Sequence, residues 1–173
     1  MNNKFLFDNK EEQALLVEWW KNLIIHEKGE AALLRRCRKV SEIYSCRSFY
    51  NLISVLNHPV NKDNLAALVS ISAHVKINSV DYSFGHQMGQ LDKSGKQKIK
   101  EVRFRKWINE PQGDELLIST IRLIRIIDSN VNLVSMAQTI YYWNEHTRKK
   151  IAYDYFSASE KQDQNELQKV HGE

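Results

Sequence analysis

Only two prolines, Pro59 and Pro111, and six glycines interrupt these 173 residues. A chain so poor in the two residues that end helices has few ways to fold other than as helix. Tyr141 to Phe156 is the clearest case, with neither Gly nor Pro. Trp143, Thr147, Ile151 and Tyr155 recur there every four residues and drift along one face. Arg148, Lys149 and Lys150 sit together in the middle. Three consecutive cations fan over most of a helix circumference, so at least one points away from the core. Two readings fit the stretch: an aromatic anchor carrying a patch for nucleic acid, or a core helix with a solvated basic face.

The same argument applied along the chain predicts helices throughout. Leu15, Leu16, Trp19, Trp20, Leu23 and Ile24 form a broad apolar stripe over residues 10–27, with Glu11 and Glu12 complementing the helix dipole. Residues 30–39 and 46–56 follow, the latter ending before Pro59. Asn61 and Asp63 are candidate caps for a well-buried helix from Leu65 to about Lys76, in which His74 reads as an interior, hydrogen-bonded histidine. Residues 77–83 are polar and β-branched, the best boundary between two lobes. Ser83 to Gly89 suggests a short helix whose Gly85 and Gly89, four apart, allow close packing. Asp92 to Lys100 is a basic turn. Helices around Val102 to Ile108, Asp114 to Ile127 and Val131 to Trp143 lead into the last one. From Ser157 the chain is polar and is expected to fray. The expectation is an all-α fold of eight or nine helices in two small antiparallel bundles, residues 1–78 and 79–158, with a disordered tail over 159–173.

Charge is uneven. The net charge is +4, but residues 31–110 balance at +8, residues 1–30 at −2, residues 111–156 at zero and the tail at −2. A basic centre of this kind points to a polyanionic partner. Arg35, Arg36, Arg38 and Lys39 project from the helix over 30–39 with no acid among them, and such a cluster repels itself unless an anion compensates, so it is the best candidate for phosphate contact. Arg122 and Arg125, three apart, can present side by side on the narrow polar stripe of an otherwise apolar helix.

Recognisable catalytic chemistry is missing. No phosphate loop, dinucleotide glycine motif, Gly-x-Ser-x-Gly or His-Glu-x-x-His occurs. Glu145 and His146 are adjacent and so diverge on a helix. Cys37 and Cys46 have neither zinc-knuckle nor redox spacing and read as buried thiols. No run of about 18 apolar residues exists to span a membrane, and the first residues lack a signal core, so a cytoplasmic protein with no enzyme activity, metal or cofactor is expected.

Five stretches together resemble the CasB family, the small subunit of the type I-E CRISPR Cascade complex. They are Arg35-Arg36; Ser48-Phe49-Tyr50-Asn51-Leu52-Ile53; Phe84 to Met88 followed by a Ser-Gly turn; Arg103-Phe104-Arg105-Lys106-Trp107-Ile108 with Asp114-Glu115-Leu116-Leu117 and Ile121-Arg122-Leu123-Ile124; and Tyr142-Trp143-Asn144 with Arg148-Lys149-Lys150 and Asp154-Tyr155-Phe156. The resemblance covers about residues 30–156 and departs at Asn109, Glu145 and His146, where basic residues are expected or stand in some relatives. It implies two helical bundles, no catalysis, two copies in the belly of the complex, and contacts to other Cascade subunits, to the guide RNA backbone and to the displaced strand of the target DNA. The basic positions it matches are Arg35, Arg36, Lys62, Arg122 and Arg148. The competing reading is a helical adaptor whose basic faces bind acidic proteins.

Overall fold

The computed structural model describes residues 6–56 and 59–170, with side chains through Ala158. Ten helices occur among them, one or two more than the sequence suggests. They are α1 (Lys10–Ile25), α2 (Lys28–Arg36), α3 (Val40–Ile43), α4 (Arg47–Val55), α5 (Lys62–Ser72), α6 (Phe84–Gly89), α7 (Glu101–Ile108), α8 (Asp114–Ile126), α9 (Leu133–Tyr141) and α10 (Glu145–Val170). No helix among the described residues is long and apolar enough to cross a membrane. The single-turn α3 is one that periodicity misses, since four residues carry no period. Two short strands are the other surprise: β1 (Ile77–Asn78) pairs in parallel with β2 (Asn130–Val131). Ile77 meets Asn130 and Asn78 meets Val131, a register that links segments about fifty residues apart and that no local pattern announces.

Local chemistry sets half of the helix starts. Asn9, Asn61, Ser83 and Asn132 each accept a backbone N–H from the residue three positions on, capping α1, α5, α6 and α9. Asn144 caps α10 in the same way through the Thr147 N–H at 3.0 Å. After α8 the chain turns at Asp128 and Ser129, both with positive φ, and the Ser129 carbonyl then accepts the Lys76 and Ile77 N–H groups.

Helix α5 is the most enclosed element: every residue from Asn64 to Ser72 is buried. It lies against α2, α3 and α4 on one side and α8 and α9 on the other. Asn64 donates to the Tyr141 carbonyl at 3.0 Å and Ser70 to the Leu34 carbonyl at 3.0 Å, so both flanks are joined by buried polar bonds as well as apolar contact. One continuous apolar core runs from Leu6 to Tyr155, across the position read as a lobe boundary. Trp19 and Trp20 are buried in it, as their place on the stripe of α1 implies.

The C-terminal end has its own aromatic nucleus. Phe104 stacks on Tyr155 at 3.8 Å, Trp107 lies against Phe84, Phe104 and Trp143, and the Trp107 indole donates to Thr120 at 2.8 Å. Helix α10 continues through Val170, so residues 159–170, expected as a disordered tail, are helical. A polar stretch without Gly or Pro is compatible with helix as well as with disorder. Residues 171–173 lie outside the described residues, as do 1–5.

Candidate nucleic-acid interface

The turn after α2 is where the basic side chains are gathered. Glu42 on α3 accepts the backbone N–H groups of Arg38 and Lys39 at 2.7 and 3.1 Å, and these bonds hold its carboxyl below the usual carboxylate range. Asp114, at the start of α8, accepts the Val40 N–H at 2.7 Å. The turn is thereby tied to α8 across 74 residues of sequence. As a result Arg38 comes to rest beside Arg122 and Arg125, and the three line one concavity of about 300 Å³ with Ile118 and Ile121. No carboxylate lines it.

Arg35 joins from α2. Its Nε donates to the Ala73 carbonyl at 2.7 Å, closing the C-terminal end of α5. Arg38 is held by its own Nη1, which donates to the carbonyls of Arg35 and Cys37 at 2.9 and 3.0 Å. Beneath these cations lies His74, only 7% exposed, with Nε2 lacking a hydrogen-bond partner. Burial, reinforced by the charges of Arg125, Arg35 and Arg38, pulls its pKa down to about 4. His74 is interior, as expected, but it is not fully hydrogen-bonded. Among the described residues no group of side chains could hold a metal ion.

Arg122 also borders a second, smaller concavity of about 150 Å³, shared with Arg103 and Lys106 of α7, Trp107, Ser119, Leu123 and the carboxylate-bearing Glu110. Arg103 and Lys106 were not singled out from the sequence. The available signal was their spacing, three apart on α7, which puts them on one face. Arg105 between them pairs with Glu101 at 2.6 Å instead. The basic surface therefore runs from Arg35 and Arg38, across Arg125 and Arg122, to Arg103 and Lys106.

Other expected positions lie elsewhere. Lys62 opens α5, whose eleven residues separate it by about 15 Å from the Ala73 end where Arg35 is bonded. Arg36 and Lys39 are exposed on either side of the Arg38 turn. Arg148 turns inward: its guanidinium lies 5.2 Å from the Trp143 ring centroid and donates to the Glu110 carbonyl at 3.3 Å. Lys149 is exposed and paired with Glu145 at 2.6 Å. Lys150 borders a separate cavity with Asp8, His146 and Asp154. Cys37 and Cys46 are buried free thiols, and burial pushes Cys46 up to about 12, against thiolate formation.

The described residues are almost wholly helical, and the concavity on which three of the arginines converge has no carboxylate in its lining. The family description "CRISPR-associated protein Cse2" matches residues 30–156, and the chain belongs to that family. The resemblance to CasB read from the sequence is borne out. In structure the chain is similar to a subunit chain of E. coli Cascade, solved bound to a PAM-containing double-stranded DNA target, with a TM-score of 0.65 and 17% identity, covering 83% of this chain and 97% of that one. No curated protein matches it by sequence.

Proposed function

We propose that this protein is the small, non-catalytic subunit of a cytoplasmic Cascade-type surveillance complex, present in two copies, and that its arginine face holds nucleic-acid backbone. The ligands are the guide RNA and the displaced strand of the target DNA. Membership of the Cse2 family and the fold shared with a Cascade chain support the complex. The observation that carries the strand contact is the convergence of Arg38, Arg122 and Arg125 on one concavity without a carboxylate.

Exchange of a DNA duplex for an RNA–DNA heteroduplex is nearly balanced in energy. A groove that neutralises phosphates on the loose strand tips the balance toward the open loop. Such contacts need fixed cations and no base-edge reader, so binding is insensitive to sequence and sensitive to salt. With about five phosphates neutralised, the log–log salt slope for a single strand is near −3.5. Fluorescence anisotropy with a labelled single strand measures that slope. A slope near zero removes the reading, and so does unchanged affinity in Arg122→Glu with Arg125→Glu. Co-purification of the tagged protein with guide RNA and backbone subunits separates it from the adaptor reading, which expects acidic protein partners alone.

A further inference from the structure

The Arg38–Arg122–Arg125 concavity has a floor that phosphate contact leaves unexplained. Ile121 is buried and Ile118 half-buried, so the space between three guanidiniums is apolar, not polar. A phosphate alone satisfies the cations but leaves that floor wet. Water there meets no carboxylate and few acceptors. What complements the site is a ligand with an anionic edge and a flat apolar face joined at short range, which is the shape of one unstacked nucleotide. Guanidinium planes stack on bases, and aliphatic side chains accept a base face without reading its edges. The cavity, at about 300 Å³, is at the lower end of small-ligand sites.

Building on the strand-binding function proposed above, we propose that this concavity receives a single unstacked nucleobase of the bound strand, seated on Ile118 and Ile121, while Arg38, Arg122 and Arg125 hold the flanking phosphates. Base insertion selects single-stranded over duplex nucleic acid without selecting sequence, because every base has an apolar face.

The test compares the full-length protein on two labelled twelve-nucleotide strands with the same number of phosphates, one oligo-dT and one abasic throughout. The expected result is at least about fivefold tighter binding of oligo-dT, the equivalent of one stacked base. That margin should shrink toward onefold in Ile118→Asn, with the abasic affinity kept. Ile118→Ala, milder for folding, should narrow it partway. Equal affinity for the two strands in the wild-type protein overturns base insertion and leaves phosphate binding intact. A margin that persists undiminished in both Ile118 variants overturns this pocket as its source. Failure of both strands to bind overturns the strand-binding function itself.

Discussion

Gly89 of α6 lies directly against the backbone of Tyr155 in α10, where an added Cβ would overlap the Tyr155 carbonyl oxygen. One turn earlier, a Cβ on Gly85 would come within 2.8 Å of the Ile151 carbonyl oxygen. The two glycines let α6 and α10 approach closely, and this seam joins the last helix to the globule. The obstruction at Gly89 is backbone, which cannot swing aside. Gly89→Ala should therefore cost about 2–3 kcal/mol, a fall of roughly 5–10 °C in melting temperature read by circular dichroism. An unchanged melting temperature would mean that the seam is looser than described.

Arg148 is expected to act as a packing residue. Its guanidinium covers Trp143 and bonds the Glu110 carbonyl, to which the Trp143 indole also donates at 2.9 Å. Arg148→Ala should lower stability by about 1–2 kcal/mol in chemical denaturation while changing single-strand affinity less than twofold. Arg125→Ala should do the opposite, since Arg125 is exposed on the concavity.

His74 gives stability a pH dependence. Its folded-state pKa, about 4, lies below the ordinary value near 6.5. Above pH 6.5 the ring is neutral in both states and contributes no slope. Between about 6.5 and 4 the unfolded chain takes up a proton that the folded one refuses, so stability falls as pH falls. Urea midpoints measured across that window should decline, and His74→Gln should flatten the decline. An identical slope in the variant would assign the effect to other groups.

Arg35 serves two ends at once, the α5 terminus and the basic face. Arg35→Lys keeps the charge but loses the Nε donor to Ala73. It should retain strand affinity within about twofold and lose about 1 kcal/mol of stability. Arg35→Glu should lose both, with affinity and denaturation midpoint measured on the same preparation.

Periodicity and capping chemistry made most of the helices legible in advance, because both depend on neighbours within four residues. Asn61 as a cap, the paired glycines of α6, and the buried faces of α1 and α5 follow from such short-range rules. The single turn α3, the β1–β2 pair and the course of α10 beyond Phe156 were beyond them. The first two are fixed by partners more than fifty residues away, Asp114 on Val40 and Asn130 on Ile77.

The basic residues divide along the same line. That Arg35, Arg122 and Arg125 lie on exposed helix faces is a property of their own segments and could be read from residue order, whereas Arg38, expected on the same helix as Arg35, lies in the turn after it. The meeting of Arg38, Arg122 and Arg125 at one concavity, the addition of Arg103 and Lys106, the separation of Lys62 and the inward turn of Arg148 were settled only by how the helices pack. Helical geometry dictates which way a side chain leaves its own axis. Where that axis sits relative to another is decided by the burial of apolar faces and a few long-range hydrogen bonds, and these relate residues that the sequence holds far apart.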